Sequence, residues 1–180
     1  MKVKLLGTGD PLGMPVMGCK CEYCKESKGR NRPCVYIEDK SSSLILDTPP
    51  DLKRAINSEG LKIPDYFFIT HFHFDHFWGI PEIDQLSFLK DEPNFEVYLD
   101  QTAFENVKEN ISWLNIDENI FENQGSIQAG EMNVTPFNVE HSDFMETYGF
   151  KISKGKKKIV YLPDFREISQ ETKERIKGAD

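Results

Sequence analysis

Long apolar runs are absent from this 180-residue sequence, and their absence excludes several classes of protein. No stretch approaches the roughly 20 apolar residues that a membrane-spanning helix needs. The N-terminal residues 1–7 also lack the apolar segment of a signal peptide. We therefore expect a cytoplasmic protein with no membrane partner.

Positive charge is also scarce. The chain has 22 Lys and Arg residues against 30 Asp and Glu residues, so its formal net charge is −8. A chain this acidic is repelled by nucleic-acid backbones and anionic lipid surfaces, which makes nucleic acid an unfavourable partner. A small phosphate ester is still compatible with this charge, because bound cations can reverse the sign of the local field.

The apolar residues that are present predict strands alternating with helices in one domain, residues 1–180. Hydrophobic residues make up 38% of the chain, enough for a buried core. The predicted strands are 3–6, 35–38, 43–47, 66–70, 95–99, 132–139, 148–152 and 158–162. The predicted helices are 51–57, 81–90, 102–114 and 168–176, the third capped by Asp100 or Thr102. This alternation favours an α/β (α+β) layered architecture over a helical bundle or a pure β-sandwich.

Histidine is rare but concentrated. Three of the four histidines and one carboxylate lie in the segment His71-Phe72-His73-Phe74-Asp75-His76. Imidazole and carboxylate are the usual protein ligands of zinc, manganese and iron. Because the segment follows a predicted strand, alternate residues can face two neighbouring ions. The cluster therefore predicts a metal site at a strand end, in preference to histidines without metal.

The spacing of this cluster resembles the signature of the metallo-β-lactamase superfamily. Asp47 ends a predicted strand, and His141 and Asp164 each follow one, in the order that the superfamily shows. The resemblance implies an αββα sandwich that holds two divalent ions, Zn or Mn, in the active site. The implied ligands are His71, His73 and His141 for one ion and Asp75 and His76 for the other, with Asp164 shared. Asp47 is implied to support the site through hydrogen bonds without binding metal.

The resemblance also implies residues that this sequence does not contain. The second ion normally takes a further histidine from a later strand, but no histidine follows His141. We therefore expect a sandwich whose C-terminal portion is incomplete, as a partial chain or one that a partner completes. The oligomeric state is open, with a homodimer among the arrangements considered.

Cysteine is equally rare and equally concentrated. Cys19, Cys21 and Cys24 are too close together for easy disulfides with one another, but they are well placed to bind one structural zinc ion. Reduced cysteines without metal are the alternative. The fourth ligand stays open between Cys34 and, by the family resemblance, a residue of the C-terminal portion. We thus predict a cysteine zinc loop over residues 18–34.

The N-terminal region narrows the resemblance to one subgroup. The segment Gly7-Thr8-Gly9-Asp10, the cysteine triplet and Arg32-Pro33-Cys34 resemble the N-terminus of PhnP-type enzymes. Those are phosphodiesterases that open phosphoribosyl 1,2-cyclic phosphate. The resemblance implies hydrolysis of a small phosphodiester by a hydroxide bridging the two ions, with Asp75 as the catalytic residue that orients it.

Other functions fit the same residues. A thioester or lactam hydrolase would use the same ligands to attack a carbonyl carbon. A non-catalytic zinc-binding carrier of the PqqB type would have a similar cysteine loop, although PqqB proteins are usually poorer in metal-site histidines. A di-iron oxygen-reducing protein is disfavoured, because those relatives place Glu where this chain has His73.

Overall fold

The structure is a computed structural model that describes residues 1–88, 95–117 and 119–180. The last two residues of the helix predicted over 81–90 lie outside the described residues. The strands are β1 (Lys2–Gly7), β2 (Cys34–Glu38), β3 (Ser43–Leu46), β4 (Tyr66–Phe68), β5 (Glu96–Leu99), β6 (Asn119–Ile120), β7 (Ile127–Ala129), β8 (Met132–Asn138), β9 (Tyr148–Lys154) and β10 (Lys157–Tyr161). The helices are α1 (Glu22–Glu26), α2 (Leu52–Ser58), α3 (Phe74–Phe77), α4 (Ile80–Ser87), α5 (Gln101–Asn110) and α6 (Gln170–Ile176).

The strands form two sheets. The first has the order β1-β2-β3-β4-β5-β6, antiparallel from β1 to β3 and parallel from β3 to β6. The second has the order β10-β9-β8-β7 and is antiparallel throughout. Strand β3, in the middle of the first sheet, therefore has neighbours of both directions.

The two sheets and the helices are layered around two apolar cores. Ile45 of β3 belongs to the core that the first sheet forms with α2, α4 and α5. Its neighbours Leu44 and Leu46 belong to the core between the two sheets. Helix α6 packs beside β8 of the second sheet. Because β3 is covered on both faces, its residues from Leu44 to Leu46 are all apolar. The layered α/β prediction is confirmed.

The sheet directions bring four loops to one end of the molecule. Because β3 and β4 are parallel, Asp47 and His71 follow strands that end at the same sheet edge. Strands β8 and β10 are both antiparallel to β9, so His141 and Asp164 also follow strands that run in one direction. A hydrogen bond from the Tyr148 amide to the Thr70 carbonyl, 3.0 Å long, joins the two sheets at this end.

The elements that the sequence did not predict are short. Helices α1 and α3 and strands β6 and β7 each have five residues or fewer, too few for a reliable periodic pattern. Asp100 is the cap of α5, since its carboxylate accepts the amides of Thr102 and Ala103 at 2.9 and 3.2 Å. In the part of the chain that the structure describes, no helix combines the length and the apolar character that crossing a membrane requires.

Candidate metal centre

His71, His73, His141 and Asp164 converge on one point. Nε2 of His71 lies 2.8 Å from Nδ1 of His73, which lies 3.3 Å from Nε2 of His141. Oδ2 of Asp164 lies 3.5 Å from the same His141 nitrogen. One ligand atom from each residue lies within 4.8 Å of all the others. Three nitrogens and a carboxylate oxygen this close form a donor set of the kind that holds Zn or Mn.

A second group lies beside the first and consists of Asp75, His76 and Asp164. Nε2 of His76 is 3.1 Å from Oδ2 of Asp75 and 3.3 Å from Oδ2 of Asp164. This nitrogen is fully buried and makes no hydrogen bond within the described residues. A buried polar atom without a partner is costly, so the group fits a cation that would accept the lone pair of His76. Asp164 belongs to both groups, so its carboxylate could bind an ion in either of them.

Asp47 does not face the ligand groups but holds one histidine of each. Its carboxylate lies 2.7 Å from Nδ1 of His76. It also accepts hydrogen bonds from the Thr70 amide and hydroxyl, at 2.8 and 2.9 Å, and from the Tyr161 hydroxyl at 2.9 Å. The Thr70 hydroxyl in turn lies 2.9 Å from Nδ1 of His71.

This network assigns the tautomers of both buried imidazoles. An ionised carboxylate can only accept, so the Thr70 hydroxyl donates its single proton to Asp47 and accepts one from Nδ1 of His71. In neutral His76, Nδ1 likewise carries the proton that Asp47 accepts. In the neutral form of each ring, which is the form that binds metal, the proton is therefore on Nδ1 and the lone pair of Nε2 is directed into the ligand group.

Burial and the neighbouring carboxylates shift the pKa values of the histidines of the centre in opposite directions. Burial, together with the neighbouring histidines, lowers the pKa of His71 to about 2. Burial also lowers the pKa of His73. For His76 burial again acts to lower the pKa, but Asp47, Asp164 and Asp75 outweigh it and raise the pKa to about 12. The three carboxylates around this buried imidazole thus favour positive charge at the centre, which is the charge that a bound metal ion would supply.

The cysteine triplet forms a separate candidate site. The sulfur atoms of Cys19 and Cys21 are 3.3 Å apart, and all three sulfurs of Cys19, Cys21 and Cys24 lie within 4.8 Å of one another. Cys34 is not part of this group. Its side chain is 0% exposed, in the core under the first sheet, and its thiol donates to the carbonyl of Asp47 at 3.3 Å. Cys34, which the sequence left open as a fourth zinc ligand, therefore lies apart from the triplet in this structure, because strand β2 carries it into the core.

Sequence reasoning missed Thr70, Tyr161 and Arg32. Thr70 directly precedes His71, and that adjacency was the only signal for it. Tyr161 is a strand residue like other aromatic strand residues, so no local pattern distinguishes it. Arg32 contacts the ring of Phe74, a residue that lies between the candidate ligands His73 and Asp75.

Residues 43–180 match the family model described as the beta-lactamase superfamily domain. Among curated proteins, an octanoyltransferase of Porphyromonas gingivalis is 22% identical over 193 residues, covering 99% of this chain and 37% of that protein. A UPF0173 protein of Pyrococcus furiosus is 25% identical over 131 residues, covering 73% of this chain and 56% of that protein. The chain thus spans between about a third and just over half of the length of these curated relatives.

Solved structures share the fold over nearly the whole chain. A structure described as a new diphosphatase from the PhnP family has a TM-score of 0.84 at 25% identity, covering 99% of this chain and 71% of that one. Zinc-bound PqqB from Methylobacterium extorquens has a TM-score of 0.80 at 22% identity, covering 99% of this chain and 70% of that one. The metallo-β-lactamase fold predicted from the sequence is confirmed.

Proposed function

Because this chain belongs to the beta-lactamase superfamily, we propose that it is a metal-dependent phosphodiesterase that hydrolyses a small, including a cyclic, phosphodiester. The observation that carries the proposal is the position of Asp164, which is common to two adjacent ligand groups. Paired sites of this kind suit in-line displacement at phosphorus, where both the attacking and the leaving oxygen need stabilisation.

Each ligand residue has a defined part in the proposal. His71, His73 and His141 hold one divalent ion, Asp75 and His76 hold the other, and Asp164 belongs to both. When bound, two Zn or Mn ions neutralise phosphate oxygens and lower the pKa of water towards neutrality. Asp75, in the short helix α3, would accept a hydrogen bond from the attacking water and orient it towards phosphorus.

The charge balance of the site favours an anionic substrate. Asp47, Asp75 and Asp164 supply three negative charges at the centre, and two divalent ions would bring four positive ones. The histidines that bind metal do so in their neutral form. With a neutral water bound, the loaded site would therefore have one net positive charge inside an acidic protein, which favours binding of a phosphodiester monoanion over a neutral substrate.

The relatives support phosphoryl chemistry more than carbonyl chemistry. The PhnP-family structure is named as a diphosphatase, an enzyme of phosphate bonds, and it aligns with 99% of this chain. The octanoyltransferase handles an acyl group, but the chain corresponds to only 37% of that protein. The cysteine triplet adds to the proposal one structural zinc ion held by Cys19, Cys21 and Cys24.

The proposal is tested by loading the chain with Zn or Mn and assaying bis(p-nitrophenyl) phosphate, ribose cyclic phosphates and acyl thioesters in parallel. We expect phosphodiester turnover by the wild type and a loss of turnover of more than about 100-fold in His73→Ala and Asp75→Ala. Removing a metal ligand should cost more than removing a residue that hydrogen-bonds to a ligand, which typically costs about 10- to 100-fold. Asp143→Ala is the matched control. Its carboxylate is in the loop after His141 but is exposed and pairs with Arg166.

Two results would contradict the proposal. One is phosphodiester turnover that persists unchanged in both ligand variants. The other is faster hydrolysis of the thioester than of any phosphodiester, which would assign the carbonyl reaction to the same ligands.

A further inference from the structure

The side chain of Arg32 joins segments that are distant in the sequence. Its Nη1 lies 3.1 and 3.0 Å from the two carboxylate oxygens of Asp51. Its Nε and Nη2 donate to the carbonyls of Pro11 and Leu12 at 2.7 and 3.2 Å. The Arg32 amide also donates to Asp51, at 3.0 Å. All three guanidinium nitrogens are engaged, so the plane of the group is fixed.

The fixed guanidinium lies over Phe74. Its central carbon is 5.5 Å from the centre of the Phe74 ring, within the range of a cation–π contact. Gly13, at φ +68, makes the close approach of the loop feasible, because a Cβ there would be only 3.2 Å from Nη1 of Arg32. The side chain of Arg32 is 16% exposed, so the guanidinium is largely shielded from solvent although Phe74 is half-exposed.

Phe74 is the first residue of α3 and lies between His73 and Asp75. This helix has four residues, and its N-cap, His73, makes no side-chain capping hydrogen bond. A helix so short has little stability of its own, so the contacts of its side chains determine its direction. Phe77 anchors the far end in the core, whereas Phe74 at the near end is half-exposed. Its ring contacts are with Arg32 and, at 6.1 Å, with Trp78 in the turn that follows.

We propose that Arg32 is a positioning residue of the metal centre, which holds Phe74 and thereby aims His73 and Asp75 at the two ion positions. The proposal rests on the metal centre of the proposed function. It assigns to the N-terminal loop, residues 10–13, a role as the fixed support of α3. A lysine cannot replace Arg32, because one ammonium cannot bind Asp51 and two carbonyls while presenting a flat face to Phe74.

The test measures Mn affinity by electron paramagnetic resonance, because Mn prefers nitrogen and oxygen ligands and leaves the cysteine triplet out of the measurement. We expect Arg32→Lys and Phe74→Leu each to weaken Mn binding about tenfold, the size of effect that is typical of residues that orient a metal ligand without binding the metal. The double variant should be no weaker than the worse single variant, because both changes break one contact. The matched control is Arg54→Gln, which removes a cation 3.6 Å from the same Asp51 but with no contact to Phe74.

Urea unfolding of each variant separates positioning from general stability. The proposal is overturned if Arg32→Lys lowers only the unfolding free energy and leaves Mn affinity unchanged, or if the effects of the two substitutions on Mn affinity simply add. These readouts do not depend on the substrate. A wild-type chain that binds Mn without hydrolysing phosphodiesters contradicts the proposed function and leaves the Arg32 test intact. Normal Mn affinity in Arg32→Lys, with activity lost in His73→Ala, contradicts the Arg32 proposal alone.

Discussion

Oδ2 of Asp47 lies 2.7 Å from Nδ1 of His76, and the backbone of Asp47 is in the left-handed conformation, with φ 65. Non-glycine residues adopt that conformation at a cost of about 1–3 kcal/mol. Here the cost is offset by the hydrogen bonds that the buried carboxylate accepts from Thr70, His76 and Tyr161. The strained turn places one acceptor where it can orient an imidazole in each ligand group.

The first prediction concerns Asp47→Asn. The amide can donate towards His76 or Thr70 where the carboxylate only accepts, so the tautomers of His71 and His76 are no longer fixed. We expect Mn affinity to fall by about 10- to 100-fold, measured by equilibrium dialysis. Asp39→Asn is the control, because Asp39 is another buried carboxylate but binds Lys154 instead of a histidine. Equal Mn affinity in the two variants would show that Asp47 acts only on stability.

The second prediction distinguishes the shared ligand from an unshared one. Asp164→Ala removes an oxygen from both groups, so we expect both Mn ions to bind more weakly. His141→Ala removes a nitrogen from one group only and should leave the other ion's affinity near that of the wild type. Mn equivalents bound per chain, counted at increasing free Mn, separate these outcomes. If the two variants give the same binding curve, Asp164 is not common to two ions.

The third prediction concerns the cysteines. Cys24→Ser should lower zinc content by one ion per chain, because only two thiolates of the triplet would be left. Cys34→Ala should leave zinc content unchanged and lower the unfolding free energy by about 1 kcal/mol, a typical effect of a substitution in the core. Elemental analysis and urea unfolding measure the two effects. Loss of zinc from Cys34→Ala would instead show that Cys34 is a zinc ligand.

The fourth prediction is a pH dependence away from the metal centre. Burial acts to raise the pKa of Asp39, but the Lys154 ammonium at 2.7 Å and the amides of Ser41 and Ser42 outweigh it and lower the pKa well below its usual value. A carboxyl with a lowered pKa in the folded state stabilises the fold above its unfolded pKa of about 4. That stabilisation is lost as the pH falls through the folded-state pKa.

The wild type should therefore be more stable than Asp39→Asn by about 2 kcal/mol near neutral pH, a typical value for hydrogen bonds to a charged group. We expect this difference in unfolding free energy to be constant above about pH 5 and to shrink below about pH 4. Urea unfolding across this range measures it. A difference that does not change with pH would mean that the charge of Asp39 contributes nothing.

The sequence by itself determined the order of the longer elements and the residue types of the site. Two local patterns carried this information. The apolar run from Leu44 to Leu46 reflects the burial of strand β3 on both faces. The segment from His71 to His76 is rich in the residue types that bind metal ions. The layered fold also followed from the alternation of strands and helices. The parallel pairing of β3 and β4, which places Asp47 and His71 at one edge of the sheet, was established only by the structure.

The family resemblance predicts that His141 joins His71 and His73, but only the tertiary structure shows how these distant residues meet. His141 and His73 are 68 positions apart, and their nitrogens come within 3.3 Å through the packing of one sheet on the other. The same packing brings Tyr161 to Asp47 and buries Cys34, while the fold of the N-terminal loop sets Arg32 over Phe74. Contacts between residues so far apart depend on how the sheets are stacked, and no local pattern of residue types records that stacking.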